Sequence, residues 1–402
     1  MQKLIIPMNS PSSSLPSLDH LAQSTDWKRL LKEAARTPQD FAKWGLISAQ
    51  EAQQLSQVHQ KYNTLVSAYY LSLIDIDDPN CPIRKQAIPS LEELNHRTQE
   101  SLDPIGDQTH QATPILVHRY PDRALLFPTY RCPMFCRYCF RKETLNGPSF
   151  HFQSAFKESL DYLQNHPQIE EIILSGGDPL MFSTTRLDRI LKQLKEVGIQ
   201  RLRIHSRFPV TLPQRITDHL AQVLGQYQPL TIITHFNHPK EVTPQSQLAL
   251  KRLHQNGIQL LNQSVLLDGV NDCADTLLQL SKLLLNQSVH PYYLHHPDQT
   301  AGTQHFRVSL RKGLEINQTL RGKLSGFGLP LYVLDIPNGR GKVPIDSHWV
   351  QPTSSPQLWK VTSPLDGQVY LYEDLGESDP HLKESNQQIN QGILPLISPH
   401  ST

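Results

Sequence analysis

Between about residues 120 and 295 the apolar positions alternate between two spacings. Short apolar runs of strand length lie at 124–127, 171–174, 201–205, 230–234, 258–262 and 290–294. The segments between them carry the helical spacing. In 183–198, Leu187, Ile190, Leu191 and Leu194 fall at i, i+3, i+4 and i+7, and Gly198 stands where a helix-ending glycine belongs. In 243–257, Thr243 can cap, Pro244 suits the first helical position and Gly257 closes the helix. Strand–helix alternation predicts a parallel sheet with right-handed crossovers. Six such units predict an α/β fold, a partial (β/α)6 barrel rather than a complete eight-stranded one.

The flanks read differently. From Trp27 to about Tyr70 the pattern is helical, with Leu30, Leu31 and Ala34 followed by a second run around Leu55 and Val58. Residues 74–89 carry Pro79, Pro82 and Pro89 and an Asp-Asp-Pro-Asn turn, which predicts a wrapping connector. The Ser/Pro-rich stretch 9–18 is expected to lie loosely on the surface. After about Pro344 the pattern weakens; 350–402 is polar, and only 368–372 reads as a further strand. The expected organisation is a flexible lead at 1–25, a helical region with its connector at 26–110 and a core barrel at 111–330. Residues 331–402 form the C-terminal region.

Composition narrows the function classes. Lys and Arg number 38 against 37 Asp and Glu, and no Lys/Arg-rich run exists, which argues against tracking nucleic acid. No segment approaches the ~20 apolar residues that span a bilayer, and the apolar start is broken too early by Pro7 for a signal peptide. The expectation is a soluble cytoplasmic protein without a membrane partner. Its five cysteines are an odd number, three of them clustered, unlike a secreted disulfide framework.

Those three are Cys132, Cys136 and Cys139, in the run Arg-Cys-Pro-Met-Phe-Cys-Arg-Tyr-Cys-Phe-Arg-Lys that follows the first strand of the barrel. Three thiolates this close can hold three irons of a cubane [4Fe–4S] cluster and leave the fourth iron open. A structural zinc site is the weaker reading, because it wants four ligands and Cys81 and Cys273 are single and distant. In parallel barrels chemistry gathers at the C-terminal ends of the strands, where this run lies. Ser-Gly176-Gly177-Asp178-Pro follows the next strand; paired glycines permit close backbone approach, and Asp178 can take an ammonium. Lys342 sits in Pro-Asn-Gly-Arg-Gly-Lys-Val-Pro, residues 337–344. A phosphate-binding loop fails there, since Ile336 and Val343 stand where Gly and Ser/Thr are needed. A solvated loop lysine and a Schiff-base lysine both remain open.

The cysteine spacing resembles that of the radical S-adenosylmethionine (SAM) superfamily. The chain from about Trp27 to Val350 closely resembles the lysine 2,3-aminomutase family within it. The resemblance includes Tyr-Tyr-Leu-Ser-Leu-Ile-Asp at 69–75, His-Arg-Tyr-Pro-Asp-Arg at 118–123 and Leu-Pro-Gln-Arg-Ile-Thr at 212–217. Thr-His-Phe-Asn-His-Pro at 234–239 and Asn-Gln-Ser-Val-Leu-Leu at 262–267 extend it. It implies a [4Fe–4S] cluster, SAM and pyridoxal 5′-phosphate (PLP), and migration of the α-amino group of lysine to its β-carbon. Lys342 matches the lysine that binds PLP covalently; Arg119, Tyr120 and Arg123 match the segment that holds that cofactor, with Arg123 a phosphate partner. Arg141 matches the arginine that takes the substrate carboxylate, and Asp298 and Asp335 match the carboxylates that receive the ε-ammonium. Gly176, Gly177 and Asp178 match the turn at the SAM amino group, and His235 and Gln263 lie in segments lining the SAM site. The resemblance further implies a reductant such as flavodoxin or ferredoxin, and a homo-oligomer.

The chain departs from the family pattern in places. No cysteine follows Cys273, so the zinc site of the best-known members is not expected. Tyr138 and Phe140 replace a more usual His and Thr, Asn338 and Arg340 replace glycines, and His295-His-Pro precedes Asp298. Rival readings are the paralogue that supplies β-lysine for modifying elongation factor P, a glutamate aminomutase, and a non-catalytic iron–sulfur protein. The aspartate pair and the long N-terminus favour the free-lysine enzyme.

Overall fold

The computed structural model describes residues 23–95, 100–143, 151–346, 350–355, 358–362 and 368–373. The Ser/Pro-rich lead and most of the polar tail lie outside the described residues.

One sheet dominates. Its strands are β1 (Gln111–Thr113), β2 (Leu116–Tyr120), β3 (Arg123–Thr129), β4 (Glu171–Gly176) and β5 (Arg201–His205). β6 (Leu230–Thr234), β7 (Gln259–Val265), β8 (His290–His295), β9 (Leu331–Asp335) and β10 (Lys342–Pro344) complete it. The 10 strands are hydrogen-bonded in sequence order, and the first and last do not pair, so the sheet is open. β3 to β9 run parallel, while β1, β2 and β10 flank them antiparallel. The open, mostly parallel α/β sheet expected from the sequence is therefore present, with β9 as a further parallel strand beyond the six units.

Helices cover the outer face for the reasons their sequences give. Thr184–Glu196 starts at Ser183, whose side chain accepts from Arg186 N, and buries Leu187, Ile190, Leu191 and Leu194. Truncating one such leucine to alanine typically costs ~2–5 kcal/mol. Pro244–Gln255 opens on a Thr243–Ser246 capping box with proline in its first turn and buries Ala249, Leu250 and Leu253. Gly198 and Gly257, at φ 94° and 77°, turn the chain out of these helices where a side chain would be strained.

The N-terminal helices, Trp27–Lys32, Pro38–Lys43 and Ala49–Lys61, are each capped by a side chain, from Asp26, Thr37 and Ser48. Leu30, Phe41, Leu55 and Val58 from these helices join the same apolar core as the barrel strands. The connector at 74–89 contains a short helix, Pro82–Ala87. This region also latches onto the cysteine loop, with Phe135 N donating to Leu65 O at 2.7 Å.

The chain divides into two units, 1–345 and 346–402. The described part of the second is an antiparallel sheet of β11 (Val350–Pro352), β12 (Leu358–Thr362) and β13 (Val369–Glu373), the last coinciding with the strand expected at 368–372.

Candidate active site

The sheet lines a cavity of about 760 Å³, to which the C-terminal ends of the parallel strands and the loops that follow them contribute, together with Arg123, Glu171, Arg201 and Leu331 at the starts of β3, β4, β5 and β9. That is within the ~300–1,000 Å³ typical of small-molecule sites. The three cysteines, Arg119, Tyr120, Arg123, Arg141, Gly176, Gly177, Asp178, His235, Gln263, Asp298, Asp335 and Lys342 all line it. Residues separated by as much as 223 positions in the chain thus meet at one site.

The cysteine loop leaves β3 and winds through tight turns, with Cys139 N donating to Cys136 O at 3.1 Å and Lys142 N to Cys139 O at 3.2 Å. A buried carboxylate anchors it. Glu93 accepts from Arg137 Nε at 2.9 Å and from Lys142 Nζ at 2.5 Å, and pairs with Arg137 Nη2 as well. Burial alone would raise its pKa; the two cations and their hydrogen bonds outweigh that and hold Glu93 at about 2. Burial pushes the Cys139 thiol up to about 11 and the Cys132 thiol well above its ordinary value. A cationic iron cluster reverses that preference, because a coordinating thiol is deprotonated outright. Among the described residues no three His, Cys, Asp or Glu side chains converge on one point as ligands of a single ion. A cubane takes its thiolates one per iron.

Sequence reasoning missed Arg207, which follows β5. Its Nη1 donates to Cys136 Sγ at 2.8 Å, and its Nη2 donates to Gln86 Oε1 at 2.7 Å and Glu241 Oε1 at 2.8 Å. Glu241 also accepts from Tyr70 OH at 2.6 Å and from Asn237 N at 2.6 Å. A buried hub therefore ties one cysteine to the N-terminal region and to the loop after β6.

The paired glycines serve the protein's own packing as well as lining the cavity. A Cβ on Gly177 would lie 2.4 Å from Arg131 O, and one on Gly176 2.9 Å from Thr129 O. Their absence lets the turn after β4 run flush against the start of the cysteine loop. Gly177 N donates to Thr129 O, and Asp178 N to Arg131 O, both at 2.8 Å. The Asp178 carboxylate, 3% exposed, accepts from Ser206 Oγ at 2.9 Å, Arg207 N at 2.8 Å and Leu180 N at 3.0 Å. Burial raises its pKa to about 6 despite those bonds.

At the opposite end, the β2–β3 hairpin pairs Tyr120 with Arg123, and the Arg123 guanidinium stacks 3.9 Å over the Tyr120 ring while bonding Asp122 at 2.7 Å. Arg119 bonds Ile105 O and, at 3.4 Å, Asp107. Asp107 is a second residue the sequence did not reveal. It receives Arg141 Nε at 3.1 Å and Nη2 at 2.8 Å, so one carboxylate joins the two arginines expected to serve different ligands. Phe127 and Phe140 lie 4.6 and 4.3 Å from the Arg141 guanidinium and fix its plane.

Lys342, expected in a loop, is the first residue of β10. Its ammonium pairs with Asp335 and donates to His295 Nδ1 at 3.2 Å. Burial would raise Asp335, but His295 and Lys342 hold it at about 2. Asp298 goes the other way: burial and the neighbouring Asp335 charge push it up to about 7.

Several buried atoms on the cavity wall find no hydrogen-bond partner among the described residues: His205, His235 and His295 Nε2, Arg119 Nε and Thr300 Oγ1. Buried polar groups are almost always paired, so these await a polar ligand. Burial keeps His235 neutral, down at about 3, and His205 well below its ordinary value, so both are neutral ligand partners at pH 7.

Residues 126–280 match the Radical SAM superfamily. The chain is 40% identical over 331 residues to an L-lysine 2,3-aminomutase of Clostridium subterminale, covering 82% of this chain and 80% of that protein. The chain belongs to the lysine 2,3-aminomutase family. A second member of that name, from Acetoanaerobium sticklandii, is 38% identical over 82% of this chain and 81% of its own length. A glutamate 2,3-aminomutase from Clostridioides difficile is also 38% identical, over 74% of this chain and 71% of its own. Membership of this family makes the chain an isomerase that works with a [4Fe–4S] cluster, SAM and PLP. The residues present fit that set: three thiolates, unpaired buried polar atoms along the wall, and an amine paired with a carboxylate. No helix of the described residues is long and apolar enough to cross a membrane.

Proposed function

We propose that the protein moves the α-amino group of L-lysine to the β-carbon, giving β-lysine. The observation that carries the choice of lysine is the acidic pair Asp298 and Asp335, with the Lys342 ammonium seated against Asp335. A cationic group already occupies the acidic end of the cavity, as the ε-ammonium of lysine would; the second carboxylate of glutamate would be repelled there.

The bound cofactors supply the radical and the electron sink; the protein positions and shields them. Cys132, Cys136 and Cys139 would ligate the cluster, and Gly176, Gly177, Asp178, His235 and Gln263 would border SAM. Arg119, Tyr120 and Arg123 would hold PLP, with Arg123 on its phosphate, because guanidinium offers that anion two parallel charge-assisted bonds. Lys342 would attach PLP covalently. Arg141 would take the α-carboxylate in the same bidentate way. With carboxylate and ε-ammonium fixed at opposite ends, the β-carbon has one orientation.

We place the protein in the cytoplasm, reduced by a flavodoxin or ferredoxin and acting as a homo-oligomer. An anaerobic assay with dithionite, SAM and either lysine or glutamate tests the reading. β-Lysine as the dominant product supports it; β-glutamate formed in preference overturns it.

A further inference from the structure

His295 is absent from the chemistry assigned so far, yet it touches the atom on which PLP attachment depends. It ends β8, beside Asp335 at the end of β9 and Lys342 at the start of β10. Its Nδ1 lies 3.2 Å from Lys342 Nζ and 3.5 Å from Asp335 Oδ2. An ammonium only donates, so Nδ1 accepts from it and the ring's own proton sits on Nε2. That Nε2 lies buried on the cavity wall with no partner among the described residues. Burial first, and then the Lys342 charge, lower the His295 pKa against the opposing pull of Asp335, so the ring stands neutral and able to accept.

The geometry presents a difficulty that the ring resolves. Lys342 is held as an ammonium against Asp335, and an ammonium has no lone pair with which to form a bond to carbon. Asp335 is already committed to that ion pair, and a carboxylate is a weaker base than a neutral imidazole, so it does not remove the proton near neutrality. We propose that His295 is the catalytic acid–base that moves the Lys342 proton when PLP is attached to and released from the protein. The inference rests on the reading of Lys342 as the PLP lysine.

The balance is as follows. One proton passes from Lys342 Nζ to His295 Nδ1, which frees the nitrogen lone pair to bond the aldehyde carbon of the cofactor. The carbon–oxygen bond of the aldehyde breaks in turn, and the oxygen leaves as water. Of the three ammonium protons two depart in that water, one of them handed over by the imidazolium, and the third stays on the cationic nitrogen. No oxidant, reductant or outside base is consumed. Release is the same sequence reversed, with the substrate amine in place of water. The groups facing the ring are Lys342 and Asp335, Tyr293 on its own strand at 5.5 Å between ring centroids, and His205 and His235 across the cavity.

The test reads cofactor attachment, not turnover. PLP-free wild-type protein, His295→Asn and His295→Gln are mixed with PLP, and the absorbance of the covalent form is followed from pH 6 to 9. Borohydride reduction and peptide mapping then identify the modified lysine. Both variants should attach PLP to Lys342 roughly 100-fold more slowly at neutral pH, the scale of general acid–base catalysis. Their rates should recover as the pH is raised or free imidazole is added. An unchanged rate and pH profile in either folded variant overturns the role, and so does slow attachment that imidazole does not rescue, which would mark His295 as structural. Melting temperature and cluster absorbance report folding; if only one variant folds, that one is read, and if neither folds, His295 is structural and the proposal fails. PLP mapping to another lysine in wild type would instead refute the Lys342 reading on which this rests.

Discussion

Asp335 and Lys342 are cross-strand partners in the β9–β10 hairpin, directly opposite each other in the register. The turn between them, with Asn338, Gly339 and Gly341 all at positive φ, fixes that register and so holds the amine on its carboxylate before any ligand arrives. When the amine is engaged elsewhere, the same carboxylate is left facing the cavity without its cation. Asp335→Asn should therefore cut lysine turnover by about 100-fold or more, since breaking a buried charge pair costs ~3–5 kcal/mol. SAM binding should survive, as steady-state kinetics and equilibrium binding of SAM can check.

Asp298 gives the pH dependence. Its pKa is raised to about 7, so below that pH the group is largely neutral and above it an anion that attracts an ammonium. Affinity for lysine should rise as pH increases through about 7 and fall away on the acid side. The KM for lysine measured from pH 6 to 8.5 tests this; in Asp298→Asn the affinity should be weak throughout, without that inflection.

Gly177→Ala places a methyl 2.4 Å from the carbonyl oxygen of Arg131, a backbone atom that cannot turn aside. Overpacking of this kind costs ~1–3 kcal/mol. The displaced chain is the start of the cysteine loop, so the melting temperature and the iron content after reconstitution should fall together. Gly198→Ala, with open space around it but φ 94°, should lower the melting temperature and leave iron content unchanged.

Arg207→Met removes the cation from a hub in which Glu241 remains buried. An uncompensated buried charge typically costs ~3–5 kcal/mol. Denaturant titration should show that loss. Adding Glu241→Gln to the same protein should recover part of it, because the stranded charge is then gone. Recovery would separate electrostatics from lost packing.

Arg141→Lys keeps the charge but loses the planar fork, and should raise the KM for lysine more than it lowers the rate of PLP attachment. Parallel measurement of both quantities decides it.

The strands from β3 to β8 were legible because each is a compact apolar run between helices of clear period. β9 was not, since Leu331–Asp335 follows a Gly- and Pro-rich turn, and the helix before it, Leu310–Arg321, sets Gly313 and Asn317 beside Ile316 and Leu320 on its buried face, which blurs the apolar stripe. β1 and β2 escaped because they are short and partly polar. Within the site, residues in dense local motifs, the cysteines and the glycine pair above all, could be read directly. Arg207, Glu241, Glu93 and Asp107 could not, because each acts through a partner that only folding supplies. Tyr70 and Glu241, for instance, are 171 positions apart. Lys342 was found as a residue but placed in a loop, since a three-residue strand leaves no periodic trace.

The latch between the cysteine loop and the N-terminal helices has a practical consequence. Arg137 and Phe135 are held by Asn63, Leu65 and Glu93, so the loop has its shape only after residues 63–93 have docked. The barrel is thus not a self-sufficient module that can be excised for engineering. A fragment beginning at β1 would keep every thiolate and lose the mould that spaces them.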